Sequence, residues 1–153
     1  MKALETKIPP LLLMLAFAGA MYGVATLELA HFDSGNYGLT AAALLFCIGL
    51  VFCALAIIAF RRVDTTVNPT SPSSSSALVT SGIFRISRNP MYVAFLLFLL
   101  AWGLYLADAL AIALALLFQR YLTAFQIKPE ERALRRLFGD EYDAYLSRVR
   151  RWL

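Results

Sequence analysis

Residues 78–92, LVTSGIFRISRNPMY, place Arg85 and Arg88 just before an Asn-Pro pair. Asn89 is a favoured N-cap residue and Pro90 suits the first helical position, so a helix is predicted to begin here. The N–H groups and the positive dipole end of its first turn suit a carboxylate or a phosphate. The alternative is a positively charged hinge that anchors a helix at a headgroup surface. Taken alone, these residues favour the hinge.

A second candidate lies about forty residues later, where Glu130 and Glu131 follow Pro129 directly. Acidic side chains are common in a first helical turn because they complement the dipole, and this is the purely structural interpretation. The functional interpretation places one carboxylate beside the helix that begins at Pro90. A helix N-terminus for a carboxylate and a glutamate for an ammonium group would together suit an amino-acid-like head group.

The composition is typical of a membrane protein rather than a soluble enzyme. Of the 153 residues, 60% are hydrophobic and 16% are charged, whereas a soluble domain carries about 25% charged residues. The basic residues lie beside apolar segments, which favours membrane lipids over nucleic acid as the partner of the net charge of +4. Cys47 and Cys53 do not share a helical face, and His31 has no partner ligands, so neither a disulfide nor a metal site is predicted.

Apolar runs of membrane-spanning character predict an all-α polytopic membrane bundle of four transmembrane helices, in a single domain covering residues 1–153. The predicted spans are about 8–29, 39–60, 90–106 and 109–127. Only Ala107 and Asp108 separate the last two, which predicts a tight helical hairpin. Gly103 would let its helices approach closely. Arg120 either snorkels outward or faces a cavity.

The distribution of basic residues predicts the orientation. Arginine and lysine flank the predicted spans on one side only, and the two opposite turns contain neither. By the positive-inside rule both termini and the loop 61–89 are cytoplasmic. No organelle signal is evident, which favours a bacterial inner (cytoplasmic) membrane.

The segment 129–153 carries apolar stripes between arginines, which predicts two amphipathic interfacial helices on the inner leaflet. Gly139 interrupts the pattern in the position of a helix stop. The stripe before it comprises Leu134, Leu137 and Phe138, and the stripe after it comprises Tyr142, Tyr145, Leu146 and Val149.

Taken together, LVTSGIFRISRNPMY, EERALRRLFGDEYDAY and the closing VRRWL resemble the C-terminal half of isoprenylcysteine carboxyl methyltransferases and related phospholipid methyltransferases. That family carries L-V-x-x-G-x-Y-x-x-x-R-H-P-x-Y, a helical hairpin, then E-E-x-x-L and F-G-x-x-Y-x-x-Y. The resemblance covers residues 76–153, and the first two predicted spans match only in being apolar.

The resemblance implies an integral-membrane transferase that binds S-adenosylmethionine at the cytoplasmic face. It implies that Glu130 holds the methionine ammonium and that the turn 89–92 lies near its carboxylate. The methyl acceptor would be a lipophilic small molecule or lipid with a carboxylate or amine, entering from the bilayer. The implied cofactor-binding residues are Ser76, Ala77, Leu78, Val79, Phe84, Asn89, Pro90, Met91, Tyr92 and Glu130.

The sequence departs from the family pattern at three positions. Asn89 replaces the usual His and removes a titratable group, and Phe84 replaces a Tyr and lacks its hydroxyl. Gln126 stands where the prenylcysteine enzymes place an Arg that is assigned to the substrate. Because Gln carries no charge, this departure argues against a prenylcysteine acceptor.

No catalytic base is identified from the sequence. The alternative function is a non-catalytic membrane scaffold or small permease-like bundle.

Overall fold

The computed structural model describes residues 8–61 and 78–153, and all regular structure within them is helical. The prediction of an all-α fold is therefore confirmed for these residues. A short 3₁₀ turn precedes α3, and a π-helical turn joins α4 to α5. The elements are α1 (Pro10–Ala25), α2 (Gly35–Arg61), the 3₁₀ turn (Gly82–Arg85), α3 (Pro90–Leu106), α4 (Ala109–Leu122), the π turn (Thr123–Ile127) and α5 (Lys128–Leu146).

Two helical stretches of the described chain are long and apolar enough to cross a membrane. They are Tyr37–Arg61 and the continuous run Ala109–Leu146. The helix α1 ends at Ala25, earlier than the predicted 8–29, because the chain turns there and Glu28 adopts a φ of 54°. Its 16 residues extend about 24 Å. The four-span arrangement therefore remains a prediction, and residues 62–77 of the predicted loop lie outside the described residues.

The helix α2 exposes much of its apolar surface. Leu44, Phe46 and Val51 are 59%, 49% and 55% exposed, respectively. A soluble protein rarely leaves so wide an apolar face without a partner. This distribution is expected of a helix that contacts lipid. Arg120 on α4 is also exposed, which agrees with the outward-facing of its two predicted arrangements.

The predicted hairpin between α3 and α4 is present. Ala107 adopts the left-handed conformation that ends α3, and Asp108 caps α4 by accepting a hydrogen bond from the Ala111 N–H at 2.8 Å. The segment after α1 is hydrogen-bonded to this turn. The Phe32 N–H donates to the Ala107 carbonyl at 2.9 Å. The turn therefore fixes α3 and α4 side by side.

Gly103 lies at a close approach of α3 and α4. A Cβ at this position would lie 2.8 Å from Ile112 Cγ1 and 3.3 Å from the Ile112 backbone. We expect Gly103→Ala to force the helices apart and to destabilise the protein by about 1–3 kcal/mol, the usual cost of overpacking. Thermal unfolding in detergent measures this. Gly23→Ala, where an added Cβ meets nothing within 4 Å, is the matched control, and equal stability of the two variants would contradict the close packing.

A buried cluster at the other end of the bundle, called here the aromatic cluster, packs the end of α2 against the 3₁₀ turn and the end of α5. Its buried members are Ala56, Ala59, Val79, Ile83, Phe84, Tyr142, Tyr145 and Val149. The helix α5 reaches this cluster because it is kinked at Gly139, where φ is 47° and ψ is −123°. Leu134 and Phe138 pack against the cluster, but Leu137 of the same predicted stripe is 47% exposed.

Candidate functional site

The candidate site is built around the carboxylate of Glu130. Glu130 Oε1 accepts a hydrogen bond from the Tyr92 hydroxyl at 2.6 Å and a second from Gln126 Nε2 at 3.2 Å. Tyr92 lies in the first turn of α3, whereas Gln126 and Glu130 come from the region where α4 gives way to α5. The fold thus brings together three residues that the sequence analysis had assigned to cofactor or substrate.

The π turn between α4 and α5 sets the direction of Gln126 and Glu130. Pro129 has no N–H, and its ring would collide with the carbonyl four residues earlier in a regular α-helix. The helix widens at Thr123–Ile127, and the Lys128 N–H bonds to the Thr123 carbonyl. Single π turns of this kind are frequent at functional sites. The local sequence around Pro129 therefore explains why the helix is irregular here.

Burial raises the pKa of the Glu130 carboxyl to about 7, while the hydrogen bonds from Tyr92 and Gln126 act in the opposite direction. The neighbouring charge of Glu131 raises the pKa further. Glu130 lies in α5, after the apolar stretch of the helix. No arginine or lysine of the described residues forms an ion pair with it. Its partners are neutral donors, so a bound cation would stabilise its ionised form.

Glu131 is in the opposite situation, although it is the next residue. Its oxygens pair with Arg88 Nη1 at 3.0 Å and with Arg151 Nη2 at 2.7 Å. Arg151 also donates from Nε at 2.9 Å, which makes the contact bidentate. The charge of Glu131 is thus compensated within the protein. Of the two adjacent glutamates, Glu130 is the one suited to an external cation.

The start of α3 differs from the predicted N-cap in one respect. The Asn89 carbonyl begins the helix by accepting from the Tyr92 and Val93 N–H groups at 3.0 Å. However, the Asn89 side chain does not cap α3. Its Nδ2 donates to the Arg151 carbonyl at 2.9 Å. The predicted helix start with Asn89 as the N-cap residue is confirmed, but its side-chain amide bonds to a segment distant in sequence instead of capping the helix.

Three of the remaining predicted cofactor residues belong to the aromatic cluster rather than to the hydrogen-bond network of Glu130. Phe84 is buried in the aromatic cluster, with its ring 5.2 Å from that of Phe60, and its carbonyl accepts from the Tyr145 hydroxyl at 2.6 Å. Leu78 and Val79 pack in the same cluster, and Met91 contacts it. Ser76 and Ala77 lie outside the described residues. The cofactor and substrate roles of all these residues stay predictions.

Sequence reasoning missed two features of the site. It did not distinguish Glu130 from Glu131 by their partners, because the arginines that compensate Glu131 are far away in sequence. It also gave no role to the closing VRRWL beyond the resemblance, although Arg151 contacts both Glu131 and Asn89. The unusual density of arginines beside Trp152 was the available signal.

Comparison with known proteins finds an uncharacterized bacterial relative and several plant relatives that are named as methyltransferases. An uncharacterized protein of Haemophilus influenzae is 48% identical over 63 residues, which is 41% of this chain and all of that protein. The Arabidopsis thaliana protein-S-isoprenylcysteine O-methyltransferase B is 32% identical over 78% of this chain and 58% of its own length. A probable protein-S-isoprenylcysteine O-methyltransferase of Oryza sativa subsp. indica is 32% identical over 67% of this chain and 53% of its own length. This chain thus matches little more than half the length of these plant relatives.

No solved structure matches the chain. The profile of the phospholipid methyltransferase family matches residues 37–141. This range holds the α3–α4 hairpin, the π turn and the greater part of α5, together with Tyr92, Gln126 and Glu130. Because the match covers more than half of the 153 residues, the chain belongs to the phospholipid methyltransferase family.

Proposed function

We propose that this protein is an integral-membrane methyltransferase that binds S-adenosylmethionine at the Tyr92–Gln126–Glu130 cluster and methylates a lipophilic acceptor. The observation that carries the proposal is the carboxylate of Glu130. It is partly buried, and neutral donors orient it without compensating its charge. The family membership and the methyltransferase names of the plant relatives support the same reaction.

The residues present fit this cofactor. When bound, S-adenosylmethionine supplies a methyl group on a sulfonium centre, and its methionine moiety carries an ammonium and a carboxylate. Glu130 offers the anionic group that an ammonium needs. The positive dipole end of α3, beside Asn89, favours a carboxylate. Tyr92 and Gln126 hold the Glu130 carboxylate in one orientation, so less conformational entropy is lost on binding.

We further propose that the chain crosses a bacterial inner membrane four times, with the candidate site at the cytoplasmic face. The basic residues Arg61, Arg85 and Arg88 lie at the same end of the bundle as the site, as the positive-inside rule expects of a cytoplasmic face. In this orientation α5 lies at the inner leaflet as an interfacial helix. The acceptor enters from the bilayer.

The side chain at position 126 provides an argument about the identity of the methyl acceptor. Gln126 donates to Glu130, so its amide helps to orient the cofactor carboxylate. It brings no positive charge to an acceptor carboxylate, where an Arg would. We therefore favour an acceptor other than the prenylcysteine that the plant relatives' names specify. A lipid amine needs no positive charge at this position, so the uncharged Gln126 favours an amine acceptor over a carboxylate.

A methyl-transfer assay tests the proposed reaction. Purified protein in lipid nanodiscs is incubated with S-adenosylmethionine labelled on the methyl group, in the presence of a total lipid extract or a prenylcysteine analogue. We expect label in the organic phase with the lipid extract, and less with the analogue. The Glu130→Gln variant should give background counts. Absence of transfer to every lipid class would favour the non-catalytic scaffold.

The pKa of Glu130 predicts how cofactor affinity depends on pH. Below pH 7 the carboxyl is protonated and neutral, and above pH 7 it is ionised, because burial raises its pKa to about 7. Cofactor affinity should therefore rise severalfold from pH 6 to pH 7.5, with proton release on binding near pH 6. Above about pH 8 the affinity should no longer rise, since the α-amino group of the ligand loses its proton at about pH 7.7–8.0.

Calorimetric titrations at several pH values measure this dependence. The Glu130→Gln variant is the control, because it has no carboxyl to titrate. Its weaker affinity should vary less between pH 6 and pH 7.5. The same pH dependence in both proteins would show that another group governs binding.

A further inference from the structure

The segment Arg150–Trp152, called here the docked segment, is held against the start of α3 by main-chain carbonyl groups. The Arg88 N–H donates to the Arg150 carbonyl at 3.0 Å. The Asn89 side chain donates from Nδ2 to the Arg151 carbonyl at 2.9 Å. These bonds span about 62 positions of sequence and fix the turn that leads into α3. The docked segment thus sets the position of Asn89.

Two side chains of the docked segment reach the other elements of the candidate site. Trp152 Nε1 donates to Thr123 Oγ1 at 3.2 Å, at the start of the π turn that carries Gln126. Arg151 makes its bidentate contact with Glu131, the residue next to Glu130. The docked segment therefore contacts the α3 start, the π turn and the first turn of α5. These are the three elements that supply the candidate site.

Glu131 is the electrostatic centre of this arrangement. It pairs with Arg88, in the turn before α3, and with Arg151 of the docked segment, and its side chain is 16% exposed. Arg88 is 12% exposed, and its Nε is buried without a hydrogen-bond partner among the described residues. Removing one partner of a buried ion pair is costly, because the other charge remains buried. Loss of the Glu131 charge would therefore loosen both attachments.

On the basis of the proposed function, we propose that Glu131 and Arg151 are positioning residues for cofactor binding. They hold the start of α3, the π turn and the first turn of α5 in the relative arrangement in which Glu130 and Asn89 face one ligand. They act through Glu130 and Asn89 and do not contact the cofactor themselves. The compensated charge of Glu131 leaves Glu130 as the carboxylate for the ammonium.

The first test measures S-adenosylmethionine affinity of the full chain in detergent by calorimetry, for Glu131→Gln and Arg151→Ala. We expect each variant to bind at least about tenfold more weakly, and the double variant to bind no more weakly than Glu131→Gln, since both changes break the Glu131–Arg151 pair. The matched control is Arg135→Ala. It removes the Arg135–Asp143 ion pair of the same helix, whose side chains are 61% and 46% exposed. This control should keep the wild-type affinity.

A second measurement distinguishes positioning from general stability. Tyr92→Phe removes one hydrogen bond to Glu130 and should weaken binding severalfold. If Glu131 acts through Glu130, the losses of Glu131→Gln and Tyr92→Phe will not multiply in the double variant. All affinities are measured well below the unfolding temperature of each variant. Independent, multiplying losses would overturn the proposal.

Arg151→Lys covers the case in which Glu131→Gln does not fold. It keeps the charge but loses the bidentate contact, so we expect an affinity between that of wild type and that of Arg151→Ala. Wild-type affinity in both Arg151 variants would overturn the positioning role and leave the proposed function intact. If wild-type protein itself binds no S-adenosylmethionine, the proposed function fails, and the inference fails with it.

Discussion

Replacing Glu130 by Gln should weaken S-adenosylmethionine binding by roughly 10- to 100-fold, which corresponds to the about 1.5–3 kcal/mol of a hydrogen bond to a charged group. The change removes the charge but keeps the size of the side chain. Gln can still accept from the Tyr92 hydroxyl, whose bond to Glu130 is 2.6 Å long. The loss would therefore report the missing charge rather than a cavity.

The same variant should not be less stable than wild type, and this separates a binding role from a structural one. Burial raises the Glu130 pKa from 4.5 to about 7. The stability that this group contributes is fully present below pH 4.5 and is lost as the pH rises through 7. At pH 8 the unliganded wild type therefore carries an unfavourably buried charge that Glu130→Gln lacks.

We accordingly expect Glu130→Gln to unfold at an equal or higher temperature than wild type at pH 8, with the difference disappearing near pH 4.5. Glu141→Gln, at an exposed position of the same helix, is the control and should change neither affinity nor stability. A Glu130→Gln variant that is less stable but binds normally would assign Glu130 to the fold instead of the site.

Replacing Gly139 by Ala should destabilise the protein by about 1–3 kcal/mol, the cost of a backbone conformation that is essentially restricted to glycine. At Gly139, φ is 47° and ψ is −123°. An added Cβ would meet no other atom within 4 Å, so the cost is conformational. The variant relieves the strain only by straightening α5.

Straightening α5 would withdraw Tyr145 from the aromatic cluster, where its hydroxyl donates to the Phe84 carbonyl at 2.6 Å. The docked segment follows Tyr145 in the chain, so its contacts with Asn89 would also be strained. We therefore expect Gly139→Ala to lower both the unfolding temperature and the cofactor affinity. Gly19→Ala, in the open space around α1, serves as the control. Wild-type behaviour of Gly139→Ala would show that the kink is not required.

Local features of the fold could be predicted from the sequence because they depend on neighbouring residues. The start of α3 at Pro90 and the break at Gly139 follow from the backbone restrictions of proline and glycine. The hairpin at Ala107 and Asp108 follows from the short polar gap between two apolar runs. Each of these features is present in the structure.

Contacts between distant segments could not be predicted in the same way. The Tyr92–Glu130 hydrogen bond joins residues 38 positions apart, and the Asn89–Arg151 bond joins residues 62 positions apart. Periodicity identifies the face on which a residue lies but not its partner on another helix. For this reason the sequence predicted Asn89 as the N-cap residue but not the bond of its side chain to Arg151. The sequence pattern likewise did not indicate that, among the described residues, arginines form ion pairs with Glu131 and not with Glu130.

The length of α1 shows a related limit. Hydropathy alone extended the first predicted span to residue 29, because Leu27 and Leu29 continue the apolar run. In the structure, the helix ends at Ala25, and the following segment pairs with the α3–α4 turn. Here the backbone groups bond to the turn at Ala107 instead of continuing the α1 helix. No local sequence pattern indicates these bonds.

The most direct test of the central claim is a calorimetric titration of wild-type protein with S-adenosylmethionine. The protein should be monodisperse in detergent, with its helical circular dichroism confirmed beforehand. At pH 7.5 we predict saturable one-site binding in the micromolar range, about −8 kcal/mol, and at pH 6 we predict proton release, measured in buffers of different ionisation enthalpy. Absence of binding in such a folded sample would contradict the account and leave a membrane helix bundle without this cofactor.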